Sequence, residues 1–296
     1  MSFIKLPSGV AVAVLAGAAL VAGPAAAQAQ AAASVQIPCR ASALVSAISN
    51  ANSGSGGIIV LPQNCNYDIT AAAAPGDGLP VITGHVVLSG AHNTAIRRRA
   101  ATSFRLFEVA AGGSLSLTSI TVDGGSSAGL GGAILNAGTL VLSRTIFTHN
   151  TAGNGGALAN SAGGTMRVSD SDFERNTTTG VGGGAIINSA DLIVTGSVLS
   201  DNTAPINGGA VNTQPSGTTR LINTTVSDNT SGSLGGGLSN LGTLILTGST
   251  VTQNRGSAGG GIATGNTNVT LGGGTRVRNN IPDNCNPLNT IPGCVG

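Results

Sequence analysis

Eleven acids, thirteen lysines and arginines, three histidines, four cysteines and one tyrosine are the whole ionisable stock of this 296-residue chain. The densest acidic group is Asp170, Asp172 and Glu174, alternate residues that read as one strand face. Asp201 and Asp228 occupy equivalent places in a repeat set out below, with Arg175 in the same column. That column would hold the two aspartates one coil apart, within range of each other's ionisation. Such carboxylates are what polysaccharide lyases and glycoside hydrolases require, either around calcium or as an acid–base pair. Calcium at Asp170, Asp172 and Asp201 is the one cofactor the pattern admits, and only under that enzymatic reading. The simpler reading is solvated side chains on a sparsely charged surface, with Arg175 offsetting Asp201.

Other chemistry is thinner still. Arg97-Arg98-Arg99 is a basic run suited to anionic glycans or lipid headgroups. His85, His92 and His149 stand far from a zinc pattern, and no cysteines have C-x-x-C spacing. The glycine pairs lack the Lys-Ser/Thr of a phosphate loop and the aspartates of calcium nonapeptide repeats. Sugar-binding grooves use aromatic faces, and here there are no tryptophans, only Tyr67 and five phenylalanines. Catalysis is therefore not the expectation. The sequons at Asn176, Asn223, Asn229 and Asn268 are read as turn or column positions.

The elements that must carry these residues come from composition and period. Charged residues are 8% of the chain, against roughly 25% in an average domain. Helical domains need charged faces, so an ordinary helical fold is excluded. A net charge of +2 excludes a strongly basic nucleic-acid binder. With 47 glycines and abundant Asn, Ser and Thr, what remains is a turn-rich all-β chain.

Residues 1–29 read as a secretory leader: Lys5, an apolar run from Val10 to Ala22, and an Ala-x-Ala site by Ala27–Ala29. No second apolar stretch follows, so no transmembrane segment is expected after its removal. Export frames the cysteines as two disulfides. Cys39 and Cys65 flank the first structured segment and Cys285 and Cys294 bracket the last, so these pairs are favoured among the three possible pairings.

The middle of the chain repeats. Gly-Gly segments start at Gly131, Gly155, Gly183, Gly208, Gly235 and Gly259, and each is followed by a tetrapeptide ending in Asn. Those residues are Asn150, Asn176, Asn202, Asn229, Asn254 and Asn280, in steps of 26, 26, 27, 25 and 26. Five positions earlier stand Thr145, Ser171, Ser197, Thr224, Ser249 and Thr275, and three earlier an apolar residue in every copy, Phe147 to Val277. Eight earlier the residue is Leu or Val until Gly272 breaks the column. Alternating apolar positions in segments this short are strands, and a 26-residue period fits one coil of a parallel β-helix with equivalent residues stacked about 4.8 Å apart. Stacked Asn amides and Ser/Thr hydroxyls would face inward and bond from coil to coil. Gly and Asn would also take the left-handed backbone of the corners.

Residues 36–130 continue the alternation less regularly, in IIVL (58–61), VVLSG (86–90), FRLFEV (104–109) and LSLTSITVDGG (115–125). Ala41, Leu44, Val45 and Ile48 have helical spacing and predict a short helix capping the open end. Residues 131–284 form the regular repeats, and 285–296 a disulfide-closed cap. About ten coils follow, a rod of roughly 45 Å.

The paired GGA-[IL] and F-x-x-N elements resemble the repeat of bacterial polymorphic outer membrane proteins, and the layout resembles secreted β-helix proteins of the pectin-lyase-like superfamily. The resemblance covers about residues 131–284. It implies a right-handed parallel β-helix at a bacterial surface, often adhesive. Those outer-membrane proteins carry a translocating barrel; here about twelve residues follow Asn284, so autotransport is not expected. The superfamily's polygalacturonase motifs, an N-T-D triplet and a G-H-G turn, are not found. The expected role is a secreted or cell-surface structural or adhesive module whose partner is a surface glycan or protein, not nucleic acid. The alternatives are a lyase or hydrolase of acidic glycans at the 170–228 face, and a glycan or matrix binder at Arg97–Arg99.

Overall fold

The computed structural model describes residues 34–287 and 290–294; the stretch 1–29, read from the sequence as a leader, lies outside the described residues. The described chain winds as a right-handed parallel β-helix of about ten turns. Its strands form four parallel sheets of ten, nine, eight and five strands, the five-stranded one confined to the coils between Ser126 and Ser231. One coil shows the plan. Thr165–Ser169 lies in the ten-stranded sheet, Asp172–Glu174 in the nine-stranded, Thr177–Thr178 in the five-stranded and Ile186–Asn188 in the eight-stranded. Every pair of neighbouring strands joins equivalent residues of successive coils, so the inward side chains stack like on like.

The core is built from those stacks. Phe147, Phe173, Leu199, Val226 and Val251 face inward from consecutive strands of the nine-stranded sheet, each fully buried. The rings of Phe147 and Phe173 stack in parallel with centroids 5.0 Å apart. In the ten-stranded sheet Leu142, Val168, Val194, Leu221 and Leu246 form a second column. Gly272 does not interrupt it: Leu271 sits against Leu246 and Gly272 against Thr247. The turn Gly272–Gly274 holds one extra residue, which displaces the count from Asn280.

The Gly-Gly pairs have two different causes. The first glycine of each pair has a positive φ, from +59° at Gly259 to +73° at Gly183, a region L side chains avoid. The second packs backbone against backbone: a Cβ on Gly209 would collide with the Gly236 carbonyl, and one on Gly184 with the Gly209 carbonyl. The other corners depart from expectation. The left-handed residue there is the one before the ladder Asn, namely His149, Arg175, Asp201, Asp228, Gln253 and Asn279, with φ between 52° and 60°. The ladder Asn are kept for their amides and not for their backbone freedom.

Helix α1 spans Ala41–Ser53, five residues beyond the predicted stretch, and ends at Gly54. Its buried face is Leu44, Ala47, Ile48 and Ala51, which covers the first coil as a cap. Cys39–Cys65 ties the residues before α1 to the strand that follows, and Cys285–Cys294 closes the far end, with Ile291 buried inside the loop. The strands Asn66–Ile69 and Ala95–Arg98 join the nine-stranded sheet without any repeat signature in their sequence. Among the described residues no helix is long and apolar enough to cross a membrane.

Candidate functional site

The polar columns turn inward. The backbone N–H and side-chain Nδ2 of Asn176 both donate to Oδ1 of Asn202, each at 3.0 Å, and the arrangement repeats from Asn150 down to Asn280. Each Nδ2 also donates to a core carbonyl, as Asn202 does to Phe173 at 2.9 Å. The ladder starts from the Gly125 N–H and ends on Asn284, the last residue of the repeat region. In the hydroxyl column Ser171 donates to the Ser169 carbonyl at 2.7 Å and accepts the Thr145 N–H at 3.0 Å. Ser197, Thr224 and Ser249 are buried in the same column, and Thr275 ends it half-buried. The polar atoms of these residues bond to neighbouring coils and core carbonyls, which makes them structural.

A second amide ladder runs on the opposite side of the core. Asn136 Nδ2 donates to Asn160 Oδ1 at 2.8 Å, and Asn160 Nδ2 to Asn188 Oδ1 at 2.9 Å. Asn188 then donates to Thr219, whose hydroxyl meets Thr213 at 2.8 Å. Thr219 thus replaces an apolar residue in a column of Leu and Met because it continues this chain of bonds. The signal was available in the sequence: Asn136, Asn160, Asn188 and Thr213 each lie five residues after the first glycine of a pair.

The acidic candidates separate. Asp170 is not on the strand with Asp172 and Glu174; it is the left-handed residue of the preceding corner, with φ 49°. Asp172 points outward between Ile146 and Val198, and partial burial plus the Glu174 charge raise its carboxyl above the usual range. Asp201 and Asp228 stand one coil apart on the next corner, across the strand from Asp170. Arg175 does not offset Asp201. Its Nη1 lies 3.3 Å from Oε1 of the adjacent Glu174, because the left-handed turn folds its side chain back over that strand. Among the described residues no three His, Cys, Asp or Glu are grouped to hold a metal ion.

The basic run is engaged internally. Arg97 makes a two-point pair with Asp68, at 2.8 and 3.1 Å, which lowers the Asp68 carboxyl and raises the guanidinium. Arg98 donates to the carbonyls of Gly124, Ala100 and Thr102 and lies 5.8 Å from the Phe104 ring centroid. Arg99 pairs with Asp123 at 2.6 Å. The strand Ala95–Arg98 stacks them beside the acids of neighbouring strands, Asp68 and Asp123.

One ionic cluster carries no sequence signature. Asp77, in the long segment between Ile69 and His85, is 3% exposed and lies 3.6 Å from Arg105 Nη1, which also bonds Glu108 at 2.8 Å. Asp77 Oδ1 and Arg105 Nε have no hydrogen-bond partner. Burial drives the Asp77 carboxyl up to about 6; Arg105 opposes this and Glu108 reinforces it. The cluster fastens the segment onto the start of the eight-stranded sheet.

No protein-family profile matches this chain, and no curated protein matches it by sequence.

Proposed function

We propose that the chain is a non-catalytic module of the cell exterior, structural or adhesive, built as an exported β-helical rod. The observation that carries this reading is the separation of the acids. Asp170 stands on one corner, Asp201 and Asp228 on another, and Asp172 between two aliphatic neighbours. Lyases and hydrolases bring such groups to one reacting bond. The secretory leader, the two disulfides and the resemblance of the repeats to polymorphic outer membrane proteins support an oxidising, exterior location.

The test is incubation of the secreted protein with polygalacturonate and other acidic glycans, with millimolar calcium and across a range of pH. A control carries Asp172→Ala and Asp201→Ala. We expect no product from either protein, and retention of the wild type on cells or extracellular matrix. Product released above the control would overturn the reading in favour of the lyase or hydrolase.

A further inference from the structure

We infer that the strand Arg276–Arg278, at the free edge of the nine-stranded sheet, is a docking edge for an extended peptide with acidic residues at alternate positions. This interface does not depend on the adhesive reading above, whose own test is glycan cleavage and retention on cells.

The edge is set by the sheet order. This strand comes last, with Thr250–Thr252 as its one neighbour. Arg276 N–H donates to the Ser249 carbonyl at 2.9 Å. Alternate residues of a parallel strand bond to opposite sides, so Val277 directs its N–H and C=O to the open side. The chain then leaves for another sheet, where Cys285 and Asn286 pair with Ile262 and Ala263. At the other end of the nine-stranded sheet, Asn66–Ile69 packs against α1. Among the described residues one end of the sheet is covered and the other is open. Free backbone groups on such an edge are a template for a further strand.

The side chains add a charge pattern. Arg276 and Arg278 are exposed on either side of the buried Val277, about 6.6 Å apart along the strand. Their register partners, Thr250 and Thr252, carry no charge. Neither guanidinium has an ion pair or a hydrogen bond among the described residues. Asp283, the acid nearest in sequence, accepts the Gly260 N–H at 3.2 Å. Elsewhere in the same sheet an outward arginine has carboxylates beside it. Arg97 lies in register between Asp68 and Asp123 and grips Asp68 through two N–H donors. A strand added beyond Arg276–Arg278 would supply what Asp68 supplies to Arg97.

The arginines select which strand that is. Charged side chains are also a device that keeps sheet edges from pairing. Against a second copy of this edge they act so: antiparallel pairing centred on Val277 sets arginine opposite arginine, and like charges so placed destabilise. The same two groups attract acids. Carboxylates two residues apart on an extended peptide fall opposite both guanidinium groups, in the geometry each can bind through two donors. The residue between them stacks on Val277. The chain itself contains a strand of this kind, Asp172-Phe173-Glu174, with its carboxylates outward and its ring buried. Phosphates of nucleic acid or of a lipid surface answer the arginines but not the backbone groups of Val277.

The experiment measures fluorescence anisotropy of a labelled, end-blocked peptide, Thr-Thr-Asp-Val-Asp-Thr-Thr, with the secreted protein at low ionic strength. A second peptide is N-methylated at the valine and at the aspartate after it, which keeps the charge and removes the N–H donors to the edge. The test variant is Arg276→Thr with Arg278→Thr, which continues the columns of Thr250 and Thr252. The control is Arg167→Thr with Arg220→Thr, an equal loss of charge on two outward arginines of the ten-stranded sheet. Circular dichroism and melting confirm that both variants fold. Wild type is expected to bind, the test variant to lose about tenfold or more in affinity, and the control to stay within about twofold. The methylated peptide should bind wild type about fivefold or more weakly. No binding by wild type, or equal losses in both variants, overturns the inference and leaves the arginines as guards of the edge. Undiminished binding of the methylated peptide overturns strand addition, and preference for DNA or anionic vesicles over the peptide overturns the choice of partner.

Discussion

Oδ1 of Asn229 receives two hydrogen bonds from Asn202, one from its backbone N–H and one from its side-chain amide, both at 2.9 Å. Two donors converging on one buried acceptor make each rung part of the backbone's own bonding. Asn202→Leu removes a middle rung and leaves Asn176 without its acceptor. The expected loss is about 1–3 kcal/mol, since a buried amide left unpaired bears its full desolvation cost. Thermal or urea unfolding checks it, and an unchanged midpoint would count against the ladder.

The two glycine columns predict costs of different origin. Gly208→Ala places a Cβ at φ +62° and against the Val211 carbonyl of its own turn, so it should cost more than the about 1–2 kcal/mol of the left-handed backbone alone. Gly209→Ala sets a methyl against the Gly236 carbonyl of the next coil, so the coils themselves must move apart. Both should destabilise in paired denaturation curves, and Gly209→Ala should also speed hydrogen exchange in the neighbouring coil. Unchanged exchange there would mean that coil spacing is softer than the stacking implies.

The cysteines offer a covalent check. Mass spectrometry of non-reduced peptides should find Cys39 with Cys65 and Cys285 with Cys294. Replacing Cys39 and Cys65 with serine should cost roughly 2–4 kcal/mol through release of the closed loop. A Cys65–Cys285 cross-link would place the two ends of the rod together and contradict the stack.

Asp77 predicts a pH dependence with a definite sign. Its carboxyl ionises near 3.8 in the unfolded chain and near 6 when folded, so the folded state holds the proton more tightly. Stability from this group is full below about pH 4, declines as pH rises to about 6, and is level above that. The difference amounts to about 2–3 kcal/mol. Asp77→Asn should abolish the decline and raise the melting temperature at pH 7 relative to wild type. Asp68 works the other way: its pair with Arg97 is lost as pH falls below its unfolded value of 3.8. Comparing the wild type with Asp77→Asn at pH 5 and pH 7 isolates the first effect, and identical curves would remove it.

The repeat made the fold legible. Once Asn150 to Asn280 are aligned, the hydroxyl and apolar columns follow, because stacked strands must agree in type at each inward position. The first coils were harder to read. Asn66–Ile69 and Ala95–Arg98 carry charge on outward positions, and their pairing with Asp123 is visible only when the strands lie side by side. The second amide ladder changes to Thr213 and Thr264 on the way down, which blurs the column by residue type. The acids misled for a local reason. Alternate spacing puts Asp170, Asp172 and Glu174 on one face only if the strand continues through residue 170, and a left-handed turn ends it there. Asp77 gave no sign, since its burial is decided by how a segment without repeats folds back on Arg105.

Each coil bonds only to the coil above and the coil below, and Asn176-Thr177 has the same surroundings as Asn202-Thr203. The rod is therefore graduated like a ruler. Excising residues 177–202 joins Asn176 to Thr203 and presents every strand with a partner of the kind it already has, so the molecule shortens by one division instead of unravelling. Arg167 now pairs with Ile193, and Ile193 with Arg220, so removing the strand of Ile193 brings Arg167 directly beside Arg220. Gain or loss of whole coils would then retune the span between outward charges while the interior stays the same.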